Sequence, residues 1–477
     1  MKKWCISNKI NTTMTAQEIN SISTNAKFGD KRLNLRFEKI LKTLSKQVEC
    51  SIPQAFKQWG QTKAMYRFLS NKKVNEEIIL ASHLSSWIDT QISKHSVILA
   101  IHDTTELDLT GKRSEDQLGC LAYEKQKGFF LHNTLLCSGE GIPQVVFHQY
   151  YWGRDSVTLS KKKERKHLSI DQKESGRWVD GIERVQQHFK NFPKTTVINI
   201  CDREGDIYEL LGMANKGNNH YIVRSCNNRK VKDEDEKLWE QVKKEPVRGG
   251  YTIDINDRQT LQKRGATIVV RWLENIILSP PYRKNKKRPE PITVNMVYVE
   301  EINAPDGVEP INWKLVTSLE VDSIKKALMV VTYYTYRWRI ETFHYILKQG
   351  CKVEQLQLEQ EHNLKNAISL YSTIACKLLT IMYLSREKPL ANINSIGFNS
   401  KQYSLLCNYL GRNYHFKINQ QTKENPTIEN FIKIVSMLGG YQKHNKQYPG
   451  IKVLWRGMKE LSTILNCIAL LPEIRCG

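Results

Sequence analysis

The sequence predicts an α/β protein with helical segments at both ends and a β-rich insertion in its second half. Two short apolar runs each end in an aspartate: SVILAIHDTT, carrying Asp103, and TTVINICDREGD, carrying Asp202. Acids just past buried strand ends sit where α/β folds build their sites. Apolar residues at helical spacing mark residues 1–75 and 391–477, while YTIDIND, ATIVVRWL and ITVNMVYVE alternate as antiparallel strands do. The chain therefore divides into a helical region 1–75, a central α/β region 76–390 with the insertion at 231–315, and a helical region 391–477.

In GDKRLNLRFEKILKTLSK, Leu33, Phe37, Ile40, Leu41 and Leu44 share one helical face, with Asp30 as the N-cap. Arg32, Arg36 and Lys39 lie toward the other side, as a solvated face or as one that reads phosphates. The segment PQAFKQWGQTKAMYRFLSN adds Lys63 and Arg67 beside Tyr66, and the region reads as a small helical DNA-binding domain. FFLHNTLLC and PQVVFHQYYW are neighbouring strands joined by GEG turn chemistry. YRKNKKRPEP is a basic loop within the insertion, and WKLVTS returns to a buried-strand pattern. One long helix is expected next, capped by Asp322 or Ser323 and running through residue 348.

The net charge is +23, from 72 Lys and Arg against 49 Asp and Glu. Such an excess suits a polyanion, most often nucleic acid. The 11 cysteines are scattered and none forms a C-x2-C pair, which argues against a zinc site and for reduced thiols in a cytoplasm. The N-terminus MKKWCISNKINTTM lacks the apolar core of a signal peptide. No run of apolar residues reaches the length of a membrane span, so no membrane association is expected. G-x-S-x-G, Walker A, G-x-G-x-x-G and H-E-x-x-H motifs are absent from the sequence.

The stretch YTYRWRIETFHYILK concentrates rings and charges. At 100° per residue, with Tyr334 at zero, Arg337 falls at about 300°, Glu341 at about 340° and Lys348 at about 320°. The four form one stripe about 60° wide. A solvated salt-bridge face is one reading. Arg337 and Glu341 are an i,i+4 pair, but with the cation N-terminal, the weaker order. A carboxylate flanked by phosphate-holding groups is the other. Two strand-end aspartates and one helical glutamate could hold divalent ions for phosphodiester cleavage. His102 and His344, close to these acids in sequence, are expected to make structural hydrogen bonds.

At these residues the sequence resembles the DDE transposases of the IS-four insertion-sequence family, whose signature Y-x2-R-x3-E-x6-K stands intact as Tyr334, Arg337, Glu341 and Lys348. IHDTT and CDREGDIY match the family's first two acids. YIVRS around Arg224, KESGRW, EEINAP with Trp313, and LGGYQKHNKQYPG before LWRGMKEL match it further. The resemblance implies an RNase H-like core in which Asp103, Asp202 and Glu341 bind Mg²⁺, or Mn²⁺ in its place. It implies that Tyr334, Arg337, Lys348 and Arg224 hold phosphates of double-stranded DNA at the transposon end. Trp313 stacks near a flipped base, unless it is a plain core tryptophan. Arg32, Arg36 and Arg67 match the family's end-recognition arginines, and the C-terminal region its contact within a homodimer that joins paired ends to target DNA. Alternatives of another class are a metal-dependent nuclease without strand transfer and a non-catalytic DNA-binding remnant.

Overall fold

A computed structural model describes residues 14–474, apart from 48, 113–114, 157–169, 214–217, 257–262, 283–288, 414–423 and 443–447. The basic stretch of the insertion loop, residues 283–288, and residues 1–13 of the N-terminal segment read for a signal peptide fall outside the described residues.

The described residues open on four helices: α1 (Ala16–Asn25), α2 (Lys31–Leu44), α3 (Ile52–Phe56) and α4 (Trp59–Leu69). Asp30 caps α2 as its pattern requires, its carboxylate accepting the Arg32 N–H at 2.9 Å. The apolar face of α2 turns inward, where Phe37 stacks on Phe68 at 5.9 Å and Phe28 meets both edge-on. Helix α5 (Glu76–Gln91) then leads to the first strand.

The strands are β1 (Val97–Asp108), β2 (Gly128–Ser138), β3 (Pro143–Trp152), β4 (Thr196–Cys201), β5 (Asn219–Arg224), β6 (Gly249–Asn256), β7 (Lys263–Leu278), β8 (Ile292–Ile302) and β9 (Asn312–Thr317). Helix α6 (Gly176–Phe189) crosses from the β3 edge to β4, α7 (Tyr208–Met213) connects β4 to β5, and α8 (Leu238–Lys244) precedes β6. Among the described residues the nine strands form a single sheet in the order β3-β2-β1-β4-β5-β9-β8-β7-β6. β1, β4 and β5 run parallel, with β2 and β3 antiparallel at one end. The insertion does not stand apart. β9 pairs with β5 on one side and β8 on the other, so the alternating strands extend the central sheet.

The segment after β9 departs from the expected single helix. α9 (Ile324–Thr335) gives way to a tight turn in which Tyr336 and Arg337 donate to Tyr333 and Tyr334, three residues back. α10 (Trp338–Tyr345) follows, then a π-helical turn over Ile346–Gly350 closed by the Cys351 N–H on Ile346 O. The turn is seated on the β2–β3 hairpin. Gly141 has φ of +75°, and a Cβ there would lie 2.6 Å from the Tyr336 ring. A side chain at 141 would therefore push the Tyr336–Arg337 turn off the sheet.

Helix α11 (Glu361–Glu387) is long and apolar enough by composition to cross a membrane, but 83% of its apolar window is buried within the fold. It is a core helix, packed on β3, α4 and α5. Its Asn366 donates to Leu69 O and Val74 O, tying the N-terminal helices to it. Helices α12 (Ser400–Asn413), α13 (Ile428–Leu438) and α14 (Ile451–Ile474) complete the described chain.

Candidate active site

β1 and β4 are parallel neighbours in register at Ile101 and Ile200. Two residues further along each chain come Asp103 and Asp202. The sheet thus sets the two acids side by side at the same edge of the core. Asp202 accepts the Glu204 N–H at 2.9 Å and caps the short turn Arg203–Gly205. Asp103 accepts the Thr104 N–H at 2.9 Å.

Glu341 reaches the same place from the first turn of α10. Arg337 joins the two elements: its guanidinium donates to Glu341 at 2.5 Å and stands 4.0 Å from Asp103 Oδ2. Burial raises Asp103 to a pKa of about 7, helped by the negative charges of Asp202 and Glu341, and Arg337 pulls the other way. The three acids therefore share one electrostatic site.

A cleft of about 1100 Å³ opens beside it, lined among others by Asp202, Arg224, Trp313, Tyr334, Arg337 and Trp338. Trp313 on β9 meets the buried Tyr334 ring edge-on at 5.3 Å. Arg224 ends β5 and donates to Asn312 O at 3.2 Å. Trp338 is 45% exposed, with the Arg337 guanidinium 4.9 Å from its ring. Trp338 carries no motif signal in the sequence, although its place four residues after Tyr334 puts it beside the stripe.

Lys348 does not line this cleft. Its ammonium donates to Glu106 O at 2.8 Å and pairs with Glu354 at 3.3 Å, further along β1. Arg32, Arg36 and Arg67 lie on α2 and α4, away from the cleft lining. Arg32 is held by Asp30 at 3.0 Å.

Behind the acids lies a buried polar layer. His102 bonds Asn199 at 3.1 Å and Thr134 at 3.1 Å. His344 bonds Asn133 at 2.9 Å and stands 3.9 Å from Asp103. Both imidazoles thus make the structural bonds expected of them. Asn133 and Gln149 in this layer carried no signal in the sequence.

Among the described residues, no group of three or more His, Cys, Asp or Glu side chains is arranged to hold a metal ion. The Arg337 bond holds Glu341 on the guanidinium. The donor chemistry nonetheless fits a hard divalent cation, which prefers carboxylate oxygens. Burial raises Asp103 and the negative charges of Asp202 and Glu341 add to it; a bound cation would offset both.

Residues 18–74 match the family model described as transposase DNA-binding, and residues 171–376 match the transposase DDE domain. The first match spans Arg32, Arg36 and Arg67, and the second spans Asp202, Arg224, Trp313 and the Tyr334–Lys348 stripe. The protein is an enzyme that works on DNA, with a mixed α/β core of the RNase H-like kind that a DDE domain implies. It is a DDE transposase, a class that generally depends on divalent metal. A cryo-EM structure of the piggyBac transposase synaptic complex with hairpin DNA aligns over 95% of this chain and 78% of that one. With 10% identity and a TM-score of 0.32, that alignment is too loose to define the fold.

Proposed function

We propose that this transposase binds the terminal inverted repeats of an insertion sequence of the IS-four group and moves it by cut-and-paste transposition. The observation that carries the reading is that Arg337 bridges Asp103 and Glu341 while Asp202 sits beside Asp103 on the neighbouring strand, next to a cleft lined among others by arginines and tryptophans. In this reading Asp103, Asp202 and Glu341 hold Mg²⁺ or Mn²⁺. A bound divalent ion would supply Lewis-acid stabilisation of the attacking and leaving oxygens.

The chain's own residues do the rest. Arg224, Arg337 and Tyr334 hold phosphates along the cleft and fix the scissile strand against the acids. Lys348 holds a phosphate further along the same strand. Trp313 offers its ring to a base turned out of the duplex, which offsets unstacking costs of a few kcal/mol. That base position suits a hairpin step, in which a freed 3′-OH attacks the opposite strand. The strand is nicked by water, closed into a hairpin, reopened by water, and its 3′-OH joined to target DNA. Residues 1–75 position the duplex through phosphate contacts of Arg32, Arg36 and Arg67. Residues 391–477 pair two copies so that both ends are processed together. The site of action is cytoplasmic DNA.

The test is a cleavage and strand-joining assay on duplexes carrying the inverted repeats that flank the reading frame. Metal-dependent nicks, hairpins and joined products are expected. Nicks without joined products would leave a nuclease, and binding without nicks a non-catalytic remnant.

A further inference from the structure

Asp103, Asn133 and Gln149 stand directly opposite one another across β1, β2 and β3. Asn133 and Gln149 are buried, as are Ser369 and Ser372 on α11 and His344 on α10. Their hydrogen bonds run in one direction. Gln149 Oε1 accepts from Ser369 Oγ at 3.0 Å and from the Tyr151 hydroxyl at 2.9 Å. Its Nε2 therefore donates, to Ser372 Oγ at 2.9 Å and to Asn133 Oδ1 at 2.8 Å. Asn133 Nδ2 faces Leu131 O at 3.5 Å, an atom that can only accept, and in that orientation it donates to His344 Nε2 at 2.9 Å. A ring nitrogen that accepts carries no proton, so the proton of this imidazole sits on Nδ1. That nitrogen stands 3.9 Å from Asp103 Oδ2, while the other Asp103 oxygen is taken by the Thr104 N–H.

A buried polar network could exist only to satisfy itself. This one does more than close on itself, because it runs from α11 through Gln149 and Asn133 to an imidazole whose other nitrogen is 3.9 Å from the carboxylate. Groups behind metal ligands orient them in this way, and their loss costs roughly 10–100-fold in metal affinity. We propose that Gln149 and Asn133, anchored on α11, fix the His344 tautomer so that Nδ1–H is presented to Asp103 Oδ2, making His344 a positioning residue for that carboxylate. The proposal rests on the reading of Asp103 as a metal ligand.

The test is Mn²⁺ binding to the full-length protein without DNA, followed by the electron paramagnetic resonance of free Mn²⁺, with a thermal melt of each variant. In His344→Asn the amide nitrogen falls where Nδ1 was, and affinity within about threefold of wild type is expected. In His344→Gln it falls where Nε2 was, and a loss of about tenfold or more is expected. A purely structural role would move both variants together, so equal Mn²⁺ affinity in the two overturns the relay. If either fails to fold, Gln149→Met carries the test, since it leaves His344 in place and frees Asn133 to turn over. Weakened binding supports the relay, and unchanged binding overturns it. An Asp103→Asn variant separates the two claims. If it binds Mn²⁺ as wild type does, the metal-site reading itself fails. If it loses binding while the His344 pair stays alike, only the relay fails.

Discussion

Arg337 donates to Glu341 at 2.5 Å while its other terminal nitrogen stands 4.0 Å from Asp103, so one buried guanidinium bridges a helix and a strand through their acids. A cation in that position balances carboxylates that would otherwise repel. Arg337→Gln removes the charge and keeps much of the shape. Without divalent ions the variant should melt lower, by about 1–3 kcal/mol of stability, the worth of a charge-assisted hydrogen bond. Added Mg²⁺ should recover part of that loss. Melts that shift equally with and without Mg²⁺ would deny Arg337 this balancing role.

Asp202→Asn should abolish nicking and leave binding of the transposon end nearly unchanged. The substitution conserves shape but takes away a carboxylate oxygen that hard cations prefer. Gel shifts and cleavage on the same duplex measure both. Persistent Mg²⁺-dependent cleavage would remove Asp202 from the catalytic set.

Trp313→Ala should slow hairpin formation more than the first nick, because only the hairpin step needs a base held out of the stack. Base–aromatic stacking is worth about 1–3 kcal/mol, which is roughly one to two decades in rate. Rapid-quench time courses resolve the two steps. Equal slowing of both would return Trp313 to the core beside Tyr334.

Lys348→Ala should remove about one phosphate contact, lowering the slope of log affinity against log salt by about 0.9. For this the ammonium must leave Glu106 O and Glu354, which hold it in the free protein. Cognate and non-cognate duplexes should weaken alike, since a phosphate carries no base information directly. An unchanged slope would mean that Lys348 serves only to fasten the π-helical turn to β1.

Acid should destabilise the fold through His83. Burial depresses this imidazole from its ordinary 6.5 to about 4, and its Nδ1 has no hydrogen-bond partner. A histidine depressed in the folded state favours folding above its unfolded pKa, and that contribution is lost as pH falls from 6.5 toward 4. The full loss is about 3 kcal/mol. Denaturant midpoints across this range should fall less steeply in His83→Phe than in wild type. Parallel curves would show that His83 does not contribute.

The strand-end acids were legible because an apolar run that stops at an acid needs no tertiary information. Parallel pairing of β1 with β4 then does the rest. The stripe was legible only in part. A helical wheel assumes one pitch, but the Tyr336–Arg337 turn bonds three residues back and the turn at 346–350 five, and side-chain periodicity does not report either. Tyr334 and Arg337 still line the cleft and Glu341 stays bonded to Arg337, whereas Lys348, beyond the second change of pitch, turns to Glu106. Alternation identified β6, β7 and β8 as strands but could not name their neighbours. The Asn133–Gln149 row depends on register across three strands with bulges between β2 and β3, which no local pattern records.

The tie between α11 and the N-terminal helices also sets a timetable. Asn366 bonds to backbone 297 residues earlier at Leu69, and Lys377 pairs with Glu18 across 359 residues. On the ribosome, the helices assigned to DNA binding emerge first and can pack on one another through Phe28, Phe37 and Phe68, but the ties from Asn366 and Lys377 wait until α11 has been made. At about 5–20 residues per second that delay lasts on the order of tens of seconds. A nascent chain interrupted before α11 would therefore lack the polar ties that fasten the N-terminal helices to the core.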